Sequence, residues 1–162
     1  MCFKYTELLN LPIARAAYSD RTAWLLAEMS KIAYGKFEEN DEDMQKLKTA
    51  LHKAEFELVT TFNEKGTQAF LAKREKDKMA VLAFRGTEQD KIDDILSDLD
   101  ARFYKNTDGS KMHKGFKEAF QVVEDRVKSE CDKIKDYSLY VTGHSLGGAL
   151  ALVATKELNS DY

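Results

Sequence analysis

The stretch SLYVTGHSLGGALALVATKEL, residues 138–158, decides the fold. Residues 138–142 are apolar and β-prone, residues 149–158 are rich in Ala and Leu, and Gly143-His144-Ser145-Leu146-Gly147 stands between them. A strand that runs straight into Gly-x-Ser-x-Gly, with a helix leaving straight from it, is a nucleophile elbow: a serine carried on a sharp strand-to-helix turn. Such a serine occupies a strained backbone conformation and presents its hydroxyl above the sheet. A Cβ two residues to either side would collide where strand and helix approach, so Gly143 and Gly147 suit those positions. The helix from about Leu146 turns free amides and its positive end toward an oxyanion forming at Ser145, and the Leu146 amide is the natural first donor.

Upstream of the elbow the period of the apolar residues changes twice. SDRTAWLLAEMSKIAYGKF, from Ser19, places Trp24, Leu25, Ala27, Ser30–Ile32 and Tyr34 around a helix that opens on a Ser/Asp cap and closes near Gly35. DEDMQKLKTALHKA, after Asn40, has acids in its first turn, lysines later, and a stripe of Met44, Leu47 and Leu51, which predicts a second helix. FELVTTF, TQAFLAKRE and KMAVLAF then read as three strands. After them Ile92, Ile95, Leu96 and Leu99 fall at helical spacing opposite Asp90, Asp93, Asp94 and Asp98. A polar stretch with Asn106, Asp108 and Gly109 leads to a long helix from about Gly115 to Ile134. Strands alternating with helices in the second half predict parallel βαβ units, and so an α/β fold with a mostly parallel sheet flanked by helices. The whole of residues 1–162 reads as a single domain, with neither an internal repeat nor a linker.

Composition narrows the function classes. Hydrophobic residues are 43% and charged residues 33%, the balance of a globular protein. The 25 basic and 28 acidic side chains are interspersed, so no basic stripe awaits a phosphate backbone and nucleic acid is not an expected partner. Cys2 and Cys131 make neither a disulfide framework nor a metal cluster, and both read as plain thiols. No metal or cofactor is expected. Lys4, Glu7, Asn10 and Arg15 interrupt the first residues where a signal peptide needs an apolar run, which points to a reduced, cytoplasmic setting. No apolar run approaches the roughly 20 residues of a transmembrane segment.

GHSLGGALALVATKEL, taken with VLAFRGT and MHKGF in that order, resembles the class 3 lipases, the fungal-lipase-like branch of the α/β-hydrolases. The resemblance runs from about Leu25 onward. It implies hydrolysis of carboxylic esters, acylglycerols or related lipids, through an acyl-enzyme on Ser145. It also implies that Thr87, in Phe84-Arg85-Gly86-Thr87, supplies the second oxyanion donor through its backbone amide and hydroxyl. Without the family, a Gly86-Thr87 pair at the carboxyl end of a buried strand still faces the crevice where α/β sheets bind ligands; the plain alternative is a strand-ending turn. The helix of Asp90 to Leu99 lies where the family carries a lid. As a lid it would lay Ile92, Ile95 and Leu96 over the site; otherwise it packs permanently, as amphipathic helices commonly do. Its aspartates would be repelled by an anionic membrane, which favours dispersed ester substrate.

The three histidines are each weighed against the role of general base. His144 precedes the serine on the turn and is expected to be packed, hydrogen-bonded and directed away from Oγ. His113 falls in the His-x-Gly-Phe block, where the resemblance implies a structural role, and His52 stands near no motif. The triad order in this fold is Ser, then Asp or Glu, then His, yet no histidine follows Ser145. The chain is therefore expected to be the N-terminal part of such a hydrolase, truncated after the elbow helix, with the triad acid and base elsewhere. A non-catalytic binding or assembly domain on the same fold is the alternative. In either case Ser138–Thr142 is expected to be an uncharged, exposed sheet edge, and the chain to self-associate through it or through Leu150, Leu152 and Val153 of the neighbouring helix.

Overall fold

A computed structural model of the chain describes residues 19–86, 103–105, 109 and 111–159. Two helices open it, α1 (Asp20–Ile32) and α2 (Asp41–Lys53). The side chain of Ser19 accepts from the Thr22 amide at 3.3 Å, and that of Asn40 from the Asp43 amide at 2.7 Å. Each cap satisfies an amide that the first helical turn leaves without an internal acceptor. Strands β1 (Glu57–Glu64), β2 (Thr67–Arg74) and β3 (Met79–Phe84) follow, then a short hairpin of β4 (Phe103–Lys105) and β5 (Lys111–His113). Helix α3 (Lys114–Asp132), strand β6 (Ser138–Gly143) and helix α4 (Leu146–Asn159) complete the described chain.

The main sheet has the order β1-β2-β3-β6. The expected α/β arrangement of a sheet flanked by helices is present, and within the described residues the sheet is mixed rather than mostly parallel: β1/β2 and β2/β3 are antiparallel and β3/β6 is parallel. The reason is connection length. Lys65 and Gly66 join β1 to β2 at φ 46° and 87°, the conformation of a tight hairpin turn, and a single 3₁₀ turn (Glu75–Asp77) joins β2 to β3. Connections that short can only reverse the chain, whereas β3 to β6 takes the long crossover that a parallel pair requires. The β4–β5 hairpin was not anticipated either; its three-residue strands are too short to show a period.

Alternation along the central strands divides the core in two. Ala80, Leu82 and Phe84 of β3 cluster with Phe120, Val123 and Val127 of α3 and with Leu150, Val153 and Ala154 of α4. Val81 and Ala83 cluster instead with Leu25 and Met29 of α1 and Leu47 and Leu51 of α2. In β6, Leu139 and Val141 pack on the first cluster and Tyr140 on the second, as the strand period requires. Helix α1 buries Leu25, Met29 and Ser30 and packs Trp24, Leu26 and Ile32 against the second cluster, while Ala27 and Lys31 are exposed. The face read from the sequence is present except at Ala27 and Lys31. Of the three α4 side chains expected to mediate self-association, Leu150 and Val153 are buried in this core and Leu152, at 76% exposure, points outward.

Among the described residues one charged side chain lies inside. Arg74 is 1% exposed; its Nε donates to Asp77 Oδ1 at 3.0 Å and its Nη2 to Asp77 Oδ2 at 2.6 Å, while the guanidinium lies 4.7 Å from the Phe56 ring centre. This bidentate pair closes the turn between β2 and β3, whose next residue, Lys78, is at φ 49°. Asp77→Ala is expected to destabilise the fold by about 3 kcal/mol, because it strips a buried guanidinium of its carboxylate. An unchanged urea midpoint for Asp77→Ala would contradict that role for the pair.

Candidate active site

The elbow is assembled from three backbone segments in close approach. Strand β6 ends at Gly143, which is paired in register with Phe84, the last residue of β3. A Cβ on Gly143 would stand 2.2 Å from the carbonyl carbon of Gly147, and a Cβ on Gly147 would stand 2.4 Å from the Phe84 carbonyl oxygen. The second glycine is therefore required by the neighbouring strand β3 rather than by β6, a refinement of what the motif suggested. Both contacts are with backbone, which has no rotamer by which to yield.

Ser145, between these glycines, has φ 56°, the left-handed region that a residue with a Cβ rarely adopts. The expected strain is present at the end of a parallel strand, and the Ser145 side chain is exposed. The turn is stitched by the Gly147 amide to the His144 carbonyl at 3.0 Å and the Gly148 amide to the Ser145 carbonyl at 2.9 Å. Among the described residues the Leu146 amide has no such backbone acceptor. It is the first amide of α4 and lies at the positive end of that helix.

His144 is hydrogen-bonded as expected, through Nδ1 to the Tyr34 hydroxyl at 2.9 Å, but it is exposed rather than packed. The turn puts its ring at the mouth of the elbow, outside both core clusters. His113 precedes the first residue of α3 and meets Phe116 ring to ring, tilted by 41° with centroids 4.8 Å apart; His52 is exposed on α2. Gly86 lies directly under the elbow: a Cβ there would be 2.4 Å from the His144 carbonyl oxygen and 2.3 Å from the Tyr34 hydroxyl. Thr87 and the lid candidates Ile92, Ile95 and Leu96 lie outside the described residues. Beside Gly86 and Leu146 opens a crevice of about 410 Å³, at the carboxyl end of β3, lined also by Leu150, Lys36, Lys65 and Arg85. Among the described residues no three His, Cys, Asp or Glu side chains converge as a metal site would need.

Tyr34 and Thr142 were missed as site residues. Thr142 Oγ1 donates to the Leu26 carbonyl at 3.1 Å, tying β6 to α1. No pattern in the linear sequence relates Leu26 or Tyr34 to residues more than a hundred positions away.

A serine in the left-handed turn between a parallel strand and a helix N-terminus, held there by glycine contacts, defines the site of an α/β-hydrolase fold. The solved structures it resembles agree. A triacylglycerol lipase whose catalytic centre is a serine-protease triad superposes with a TM-score of 0.67 at 24% identity, over 91% of this chain and 58% of that one. The lipase of Rhizopus microsporus var. chinensis superposes with a TM-score of 0.65 at 27% identity, over 92% and 56%. The chain belongs to the class 3 lipase family, whose pattern matches residues 81–162. A curated lipase of Rhizopus niveus is 37% identical over 109 residues, 62% of this chain; the matched part is 27% of that lipase's own length.

The turn makes a testable demand on position 145. Glycine enters the left-handed region freely, whereas alanine there costs about 1–2 kcal/mol. Ser145→Gly is therefore expected to be about 1 kcal/mol more stable than Ser145→Ala in chemical denaturation. Equal stabilities, or a more stable alanine variant, would mean that the residue does not occupy this turn.

Proposed function

We propose that this chain forms the nucleophile-bearing part of a carboxylic-ester hydrolase of the lipase or esterase type. The observation that carries the reading is Ser145 itself: exposed, left-handed, at the end of β6, with the open amide of Leu146 next to it. In this reading Ser145 Oγ bonds to the ester carbonyl carbon and gives up its proton to a base, and the carbonyl oxygen takes the negative charge. Collapse of that intermediate expels the alcohol, which takes a proton, and water then releases the acid from the acyl-enzyme. The Leu146 amide is the first oxyanion donor and Thr87 the second. Gly86, the residue before Thr87, lies against the His144 carbonyl, which supports a donor from this loop.

The general base and its orienting acid belong, in the same reading, to polypeptide beyond these 162 residues. No histidine follows Ser145, and Nδ1 of His144 is engaged by Tyr34. The solved triacylglycerol lipase that this fold resembles has a serine-protease triad as its catalytic centre. The substrate is an ester or lipid: the relatives are lipases, and the crevice beside the elbow joins the apolar Leu146 and Leu150 to a polar rim. No helix among the described residues is long and apolar enough to cross a membrane.

Two measurements test this. Prolonged incubation with a fluorophosphonate should modify Ser145 in preference to every other serine, as read by peptide mass spectrometry, and random labelling would overturn the nucleophile assignment. Hydrolysis of p-nitrophenyl esters by the 162-residue chain should stay at a residual level, roughly 10³ to 10⁴ over water, because an oxyanion hole alone supplies no more. Turnover like that of an intact esterase, abolished in Ser145→Ala, would place the base within the chain.

A second reading, assembly through the sheet, is favoured by a separate observation. Among the described residues β6 pairs only with β3, carries no charged side chain and borders a groove of about 310 Å³ whose lining is mostly apolar, Ile134, Tyr137, Leu139, Val141 and Leu158, with Lys135 and Thr155 also in its walls. Such an edge is a template for another strand, and we propose that two copies of the chain pair through it. Sedimentation should show a mass that rises with concentration. A monodisperse monomer at high concentration, with β6 amides protected from exchange, would remove this reading.

A further inference from the structure

Strain at Ser145 persists only if the surroundings over-determine it, and the elbow glycines are half of that determination. The other half comes from α1 and the residues just after it. Thr142, three residues before the serine, donates its hydroxyl to the Leu26 carbonyl, and His144, one residue before it, meets the Tyr34 hydroxyl through Nδ1. The Tyr34 hydroxyl also closes the space over Gly86, whose other side is the His144 carbonyl oxygen.

Gly86 needs such a lock. The last backbone bond on this side of the sheet is the Arg85 amide to the Gln68 carbonyl at 2.9 Å, so β3 leaves the ladder one residue before Gly86. Tyr34 thus touches both parts on which the chemistry depends: the turn that carries Ser145 and the backbone that leaves β3 at Gly86.

We propose that Tyr34 is a positioning residue for ester hydrolysis: its hydroxyl, by engaging His144 Nδ1 and covering Gly86, holds the nucleophile turn and the β3 loop in one geometry. The inference rests on the reading of Ser145 as nucleophile. The Tyr34 hydroxyl acts on the elbow through His144 and Gly86. The phenol ring is retained in Tyr34→Phe, so that variant removes the hydrogen bond and leaves the packing.

The test is the rate of fluorophosphonate modification of Ser145 in the wild-type chain, Tyr34→Phe, His144→Ala and the double variant. A single neutral hydrogen bond that holds a reacting group supports a rate loss of up to about tenfold. Tyr34→Phe is expected to lose about that much at unchanged thermal stability, and the loss is expected to vanish in the His144→Ala background. The ring nitrogen resonance of His144 in ¹⁵N-labelled protein should shift in Tyr34→Phe, as it would not if the hydroxyl merely filled space. Wild-type and Tyr34→Phe chains labelled at the same rate, or a Tyr34→Phe loss that persists without His144, would overturn the proposal. Failure of the wild-type chain to label at Ser145 would instead overturn the nucleophile reading on which it rests.

Discussion

The contact on which the structure turns is the one between Gly147 and the carbonyl of Phe84, where a Cβ would come to 2.4 Å. It brings the first turn of α4 against the end of β3, although β6 is the strand that feeds that helix. The chain can make this approach only by bending sharply at Ser145, and the left-handed φ of 56° is the cost of the bend, about 1–3 kcal/mol in typical cases. Burial of Leu150, Val153 and Ala154 of α4 against Leu82 and Phe84 of β3 offsets it. Hydrophobic packing therefore holds a polar, exposed serine in a conformation it would not choose alone.

The same approach explains why the parallel pair β3/β6 lies at the site end of the sheet. Both strands run with their carboxyl ends together, Phe84 beside Gly143, so the loop after one and the turn after the other emerge side by side. Parallel strands gather loops at one edge, which is why ligands of α/β sheets bind beyond the carboxyl ends. The antiparallel β1 and β2 serve a different purpose. They widen the sheet: the turn between them, Lys65 and Gly66, lines the crevice beside the elbow, and Arg74 and Asp77 close the turn at the opposite end that returns the chain to β3. Thr67 anchors that outer part by donating to the Ala119 carbonyl of α3 at 2.7 Å.

Cys131 shows how burial, rather than chemistry, accounts for a residue. Desolvation first, then the negative charges of Asp132 and Glu130, push its thiol up to about 11. A thiol held neutral in this way is a small apolar side chain of the core and is not a nucleophile at neutral pH. It supports the reading of a plain thiol made from spacing alone.

Much of the site was legible in residues 138–158 because a nucleophile elbow is a local device: strand, two glycines, serine and helix are contiguous, and their steric demands are met within a few residues. The strands and both N-terminal helices were legible for the same reason, since period and caps are local. Local pattern does not decide pairing direction, so connection lengths set two antiparallel pairings beside the parallel β3/β6 pair where a mostly parallel sheet was expected. Nor does it decide which face of a helix is covered: Leu150 and Val153 are buried, and Leu152 is not. Above all, sequence could not bring Tyr34 to His144 or Leu26 to Thr142. By itself it determined that Ser145 must stand on a strained turn between glycines. Only the tertiary structure decided what holds that turn, because the groups that hold it lie on a helix and its following turn more than a hundred residues away, which reach the elbow only after the sheet has formed.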